Sequence, residues 1–238
     1  MTDQLCLRRE MIATCLRMNA AGLNVGSAGN LSARIDNGFL VTPSGMAYEA
    51  LEPEHIVEMD WQARYYGNYI PTSEWRFHYA ILKARPDANV VLHSHAPHCA
   101  ILACCHLDIP PIHYMIAAAG GDVIKCSGYA PFGTPELSEM ALDALGPRNA
   151  CLLGNHGVIV LGATIEKAFC LLEEVENLAR TYIATRMLGL GVTLSGPDMA
   201  VVLERFKTYG KQPDELAKIV FDPANAVVPP ERGGDKLE

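Results

Sequence analysis

The stretch Ala88–Leu107 constrains this chain more than any other. It holds no Asp, Glu, Lys or Arg, yet His93, His95, His98, His106 and Pro97 fall inside it. A run of that length reaches across a bilayer, but desolvating four imidazoles argues against a membrane helix. The expectation is a soluble, cytoplasmic chain in which Asn89-Val90-Val91-Leu92-His93-Ser94-His95 is a buried strand. The start, Met1-Thr2-Asp3-Gln4, lacks the basic and apolar regions of a secretory signal. With 238 residues, half of them hydrophobic, the chain can bury a sizeable core. Its net charge of −8 gives no general attraction for nucleic acid or anionic membrane, so any phosphate site must be local. The eight cysteines contain no CxxC pair and read as buried, reduced thiols with no metal or redox role.

The remaining punctuation gives an irregular alternation of helices and strands. Leu5, Met11, Ile12, Cys15 and Leu16 keep a helical stripe that ends near Gly22. Strands are expected at Leu31–Ile35 and Gly38–Thr42, joined by the hairpin signal Asp36-Asn37-Gly38. Pro71-Thr72-Ser73-Glu74 opens a helix, with Thr72 or Ser73 as its cap, that continues through His78 and Leu82 and stops before Pro86. Two apolar strands, Cys151–Leu153 and Val158–Leu161, flank Gly154-Asn155-His156-Gly157, and the longest helix runs from about Ile165 to Met187. The pattern fits an α/β domain of three layers, a mainly antiparallel sheet flanked by helices, over residues 1–210. Residues 211–238, rich in breakers, read as a mobile tail.

His93 and His95 lie two apart on the expected strand, on one face and about 6.5–7 Å between Cα atoms, so both imidazoles can converge on one ion. His156 sits in a turn where a side chain can be aimed but gains little from packing. Glu74 falls in the first turn of its helix, where interaction with the helix dipole is an alternative role. Together these residues would give a catalytic zinc site, with three nitrogens, an open position and a carboxylate base. His93, His95 and Glu74 alone also match a two-histidine, one-carboxylate iron site. His98 is a candidate supporting group, and His55, His78 and His106 are read as surface or core residues. Gly29-Asn30, Ser44-Gly45 and Thr72-Ser73 offer backbone N–H groups and hydroxyls that can bind a phosphate dianion without basic side chains.

At these residues the chain resembles the class II aldolases of the L-fuculose-1-phosphate aldolase type, whose relatives include ribulose-phosphate 4-epimerase and the adducin head. The matching segments are Gly29-Asn30, Thr42-Pro43-Ser44-Gly45, Ser73-Glu74-Trp75-Arg76-Phe77-His78, His93-x-His95-x-x-His98-Cys99, His113-Tyr114-Met115, Phe132-Gly133-Thr134, Asn155-His156-Gly157 and Phe206-Lys207-Thr208-Tyr209-Gly210. They occur in order over about residues 5–210. The resemblance implies Zn²⁺, with Mn²⁺ or Co²⁺ as substitutes, on His93, His95 and His156. Glu74 would ligate the resting metal and swing away to act as acid and base. Gly29, Asn30, Ser44, Gly45, Thr72 and Ser73 would hold the phosphate. Tyr114, from a neighbouring subunit, would manage the proton at the aldehyde oxygen, Tyr209 would orient the transition state, and Phe132 would line the aldehyde side. A homotetramer with active sites at its subunit interfaces is implied as well.

The implied reaction is reversible cleavage of a ketose 1-phosphate, such as L-fuculose 1-phosphate, to dihydroxyacetone phosphate and a small aldehyde such as lactaldehyde. The same residues would serve 5-deoxyribulose 1-phosphate or 5-methylthioribulose 1-phosphate. A pentulose-phosphate 4-epimerase, a dehydratase and a non-catalytic adducin-like module are the further alternatives.

Overall fold

The computed structural model describes residues 4–209. Its elements are α1 (Gln4–Ala20), β1 (Asn30–Ile35), β2 (Gly38–Val41), β3 (Val57–Asp60), β4 (Tyr65–Tyr66), α2 (Trp75–Ala84), β5 (Val90–Ser94), α3 (Pro97–Cys104), β6 (Lys125–Cys126), α4 (Pro135–Leu145), β7 (Ala150–Leu153), β8 (Gly157–Gly162), α5 (Ile165–Leu188) and α6 (Gly196–Phe206). The strands form one 8-stranded sheet in the order β4-β3-β2-β1-β5-β8-β7-β6. Every pairing is antiparallel except β6 with β7. The segment 211–238, read from sequence as a tail, lies outside the described residues.

The charge-free stretch divides at Ala96-Pro97. Before it, β5 is buried along its whole length at the middle of the sheet, between β1 and β8. After it, Pro97 occupies the first turn of α3, where its missing N–H has no helical acceptor to lose. The next two N–H groups, of His98 and Cys99, donate to the Glu176 carboxylate on α5 at 2.9–3.1 Å and 3.0 Å. A carboxylate from another helix thus caps α3 and suits the positive end of its dipole. No described helix is long and apolar enough to cross a membrane.

Alternation along the central strands feeds two cores, one on each face of the sheet. Leu31, Leu92, Val158 and Val160 pack with α1, α3 and α5 in one; Val41, Val91, Ile159 and Leu161 pack with α2 and α4 in the other. Three layers follow directly. Local signals fix the helix ends: Thr164 accepts from Lys167 N at 3.2 Å to start α5, and Gly189, at φ +69, ends it. The thiols depart from the sequence expectation in part. All eight cysteines are free, and Cys15, Cys99 and Cys151 are buried, but Cys6, Cys104, Cys105 and Cys170 are exposed.

Candidate active site

Sheet register brings the candidate residues together. Asn30 opens β1 directly opposite His93 on β5, and His93 in turn faces Ile159 on β8. His95 follows the end of β5, and His156 occupies the tight turn between β7 and β8. The three imidazoles stand at one end of the central strands, with ring centroids 4.7–5.0 Å apart and their planes steeply inclined to one another. His93 Nε2 and His95 Nε2 are 3.1 Å apart. Glu74 closes the group, Oε2 lying 3.4 Å from His93 Nε2 and Oε1 3.2 Å from His156 Nε2.

The protonation states follow from burial. His93 is fully buried and its pKa is pushed down to about 3, first by desolvation and then by His95. His156 is lowered to about 4 by desolvation and then by His93, and His95 is lowered by desolvation. His93 Nδ1 lies 3.0 Å from the Val158 carbonyl, which can only accept, so Nδ1 carries the proton and Nε2 presents a lone pair to the cluster. Glu74 Oε1 is buried without a hydrogen-bond partner, although it lies close to a neutral imidazole nitrogen. A buried imidazole lone pair and an orphaned buried carboxylate oxygen, set among two further imidazoles, are what a divalent cation would satisfy. His93, His95 and His156 fit such an ion.

Glu74 departs from the sequence expectation. It stands at the N-cap of α2 instead of in its first turn, and its side chain turns toward the imidazoles, making no cap bond. The expected caps are also displaced: Thr72 Oγ1 accepts from Glu74 N at 3.4 Å, while Trp75 N bonds the Thr72 carbonyl. The dipole role is thereby set aside in favour of the cluster.

A cavity of about 500 Å³ joins this cluster to the small polar loops. Gly29-Asn30, Ser44-Gly45 and Thr72-Ser73 all line it, as do Glu74, His95 and His156, and among the described residues no Lys or Arg does. The loops are drawn together by the Pro43–Pro71 bridge and by Ser44 N donating to the Ile70 carbonyl at 3.0 Å. Phe132 lines the cavity too and is 68% exposed. Tyr114 and Tyr209 do not line it: both are exposed, Tyr114 at the start of a 3₁₀ turn and Tyr209 stacked on Phe206. Within a single chain, therefore, the two tyrosines are not brought to the histidines.

Gly29 carries a sharp constraint. It has φ +78, and a Cβ there would lie 2.7 Å from the His93 carbonyl and 2.6 Å from Asn24 Nδ2. Asn24 bridges the same loop to the backbone at the histidine cluster, with Oδ1 accepting from His95 N at 3.2 Å. Gly29→Ala is expected to destabilise the fold by about 2–4 kcal/mol, combining left-handed strain with overpacking. Urea unfolding with an unchanged m-value and a lowered midpoint is the check; an unshifted midpoint would contradict the close approach.

Three residues near the site carry more than their sequence reading. His78, read as core or surface, is fully buried and bonds Asn30 Oδ1 through Nε2 at 2.5 Å. Its spacing of four from Glu74 on a helix was the available signal. Tyr129 and Asn155 line the cavity; Asn155 adopts φ +53 and its Oδ1 is 2.5 Å from His106 Nε2. His98, considered as a supporting group, is instead bound to Glu176, with Nδ1 2.6 Å from Oε1.

The comparisons with known proteins agree with this geometry. Residues 9–183 match the family model for the class II aldolase and adducin N-terminal domain. The chain is 50% identical over 210 residues to the L-fuculose phosphate aldolase of Escherichia coli strain K12, covering 88% of this chain and 98% of that one. It is 45% identical over 208 residues to the 5-methylthioribulose-1-phosphate/5-deoxyribulose-1-phosphate aldolase of Rhodospirillum rubrum, covering 87% and 94%. A solved L-fuculose 1-phosphate aldolase superposes with a TM-score of 0.82 at 33% identity, over 84% of this chain and 95% of that one. Half-identity to such relatives over nearly their full length leaves little room for another scaffold, and the chain belongs to the class II aldolase and adducin family, as a carbon–carbon lyase of the fuculose aldolase type.

Proposed function

We propose that residues 1–210 form the catalytic domain of an aldolase that reversibly cleaves a ketose 1-phosphate, L-fuculose 1-phosphate foremost, to dihydroxyacetone phosphate and lactaldehyde. The observation that carries this reading is one cavity that joins His95, His156 and Glu74, with His93 packed against both imidazoles, to small polar loops, no Lys or Arg lining it among the described residues. His93, His95 and His156 would hold Zn²⁺, or Mn²⁺ or Co²⁺ in its place, with Glu74 Oε1 the adjacent carboxylate oxygen. When bound, such a cation supplies Lewis acidity for the negative charge that develops on the ketose half as its C3–C4 bond breaks.

The chain's own residues do the rest. The N–H groups and hydroxyls of Gly29, Asn30, Ser44, Gly45, Thr72 and Ser73 receive the phosphate without requiring a positive surface, in keeping with the acidic chain. Glu74, with Oε1 unbonded, returns a proton to the carbon left on the dihydroxyacetone phosphate half. Phe132 borders the aldehyde side. Tyr114 and Tyr209 are assigned to the aldehyde oxygen and to orientation of the transition state, acting from a neighbouring copy in a tetramer whose sites lie at subunit interfaces. Their exposure on the single chain supports that arrangement. We place the enzyme in the cytoplasm.

The relative from Rhodospirillum rubrum favours a second substrate reading, 5-deoxyribulose 1-phosphate or 5-methylthioribulose 1-phosphate, which shares the phosphate-bearing half. A coupled assay for dihydroxyacetone phosphate across these three ketose 1-phosphates tests both. The expected result is the highest kcat/KM with L-fuculose 1-phosphate. A higher value for either pentulose assigns the second reading, and no dihydroxyacetone phosphate from any of them overturns the proposal.

A further inference from the structure

Behind Glu74 runs a line of buried polar side chains, Asn30, His78 and Ser32, of which the steps above leave His78 and Ser32 unused. Asn30 Nδ2 donates to Glu74 Oε2 at 2.8 Å. The other end of the same amide, Oδ1, is 2.5 Å from His78 Nε2, and His78 Nδ1 is 2.7 Å from Ser32 Oγ. Ser32 and His78 are fully buried and Asn30 is 4% exposed, so water does not substitute for any link. Each side chain is carried by a regular element: Asn30 and Ser32 two apart on one face of β1, and His78 one turn into α2.

The chemistry of the groups fixes the direction of every bond. A carboxylate oxygen only accepts, so Asn30 must turn its NH₂ toward Glu74. That leaves the amide carbonyl facing His78, which must donate from Nε2. In the neutral imidazole Nδ1 is then the acceptor, and the Ser32 hydroxyl donates to it. Flipping the Asn30 amide would set its carbonyl against the Glu74 carboxylate, an unmatched pair in a buried place that neither His78 tautomer relieves.

We infer that Ser32 and His78 are positioning residues for Glu74, a one-way chain that locks the Asn30 amide, ties Oε2, and leaves Oε1 as the reacting oxygen. The inference rests on the proposed role of Glu74, and its test has a part that needs neither metal nor turnover. In metal-free protein labelled with ¹⁵N-histidine, His78 is expected as the Nε2–H tautomer, with Nδ1 at the unprotonated position. With ¹⁵N-asparagine, the Asn30 side-chain NH₂ is expected to exchange slowly with solvent and to move toward free-amide shifts in His78→Phe. An Nδ1–H tautomer, or an Asn30 amide unmoved by the substitution, overturns the chain.

The second part reads function. His78→Phe keeps a ring of similar bulk and is expected to lower kcat by about 10–100-fold, as loss of an outer hydrogen-bond partner does, while KM stays within about twofold. Ser32→Ala should lower kcat in the same direction by less, and it carries the test if the His78 variant does not fold. An unchanged kcat in the folded variants, or a loss seen equally in KM, overturns the positioning role. If the unmodified enzyme cleaves no ketose phosphate, the aldolase reading fails alone, and the ¹⁵N spectra still decide the chain.

Discussion

Replacing His95 with alanine is expected to abolish metal retention and carbon–carbon cleavage together, leaving the fold intact. Of the three imidazoles, His95 is the one whose loss separates these effects. His93 is fully buried inside β5 and donates to the Val158 carbonyl, so truncating it would open a cavity and orphan that oxygen. His95 is partly exposed and lies beyond the strand's end, and the hydrogen-bond contact of its ring is with His93 Nε2 at 3.1 Å. Both rings are held neutral, so without an ion between them that contact is a single neutral hydrogen bond, contributing only about 1 kcal/mol. Removing His95 leaves two nitrogens where three converge. Metal affinity is expected to fall by more than the ~10–100-fold that follows loss of a supporting partner. Calorimetry makes the result specific. Zinc at about 100 times its Kd stabilises a binding-competent fold by about 2.7 kcal/mol, or roughly 5–10 °C in Tm for a domain of this size. The unmodified chain should show that increment and His95→Ala should not, with the two metal-free Tm values alike. An undiminished zinc increment in the variant would remove His95 from the metal site.

Much of the architecture behind that expectation is legible in local sequence, because local sequence determines it. The apolar run through His93-Ser94 is β5, one residue shorter than expected, Asp36-Asn37 turns β1 into β2, and the stripe from Ile165 is α5. The three histidines that converge could be named because strand periodicity puts His93 and His95 on one side and a glycine-flanked turn can aim His156. Less visible are features that tertiary contact creates. The polar face of β1, with Asn30, Ser32 and Arg34 alternating with Leu31, Ala33 and Ile35, has the pattern of a half-exposed strand. In the fold that face packs under α2, where Asn30 meets Glu74, Ser32 meets His78, and Arg34 donates to the Leu82, Arg85 and Ala88 carbonyls. No periodicity distinguishes a polar face turned to water from one turned to partners on another element. The expectation that Glu74 falls in the first turn of α2 fails for the same reason: a carboxylate at a helix start suits the dipole equally well, and only the neighbouring imidazoles decide where it points. α3 was hidden because its cap, Glu176, lies far along the chain.

Glu74 is the second residue on which a large effect depends. Glu74→Gln is expected to retain the metal and lose about 10²–10⁴ of kcat, some 3–5 kcal/mol of transition-state stabilisation. The substitution is close to isosteric and the Asn30 amide dictates how it sits. Asn30 Nδ2 must donate to an oxygen, so the glutamine carbonyl takes the place of Oε2 and its NH₂ falls where Oε1 lies, 3.2 Å from His156 Nε2. There it can donate to a free imidazole, which weakens metal binding somewhat but leaves all three nitrogens in position. What it cannot do is accept a proton and return it. At saturating zinc the variant should therefore bind dihydroxyacetone phosphate yet fail to exchange its carbon-bound hydrogen with solvent, and cleavage should slow in parallel. Exchange at the unmodified rate with metal bound would take the proton away from Glu74. Loss of the metal itself would mean that the carboxylate serves chiefly to hold the ion, and the two cases are separated by measuring zinc content and hydrogen exchange on the same preparation.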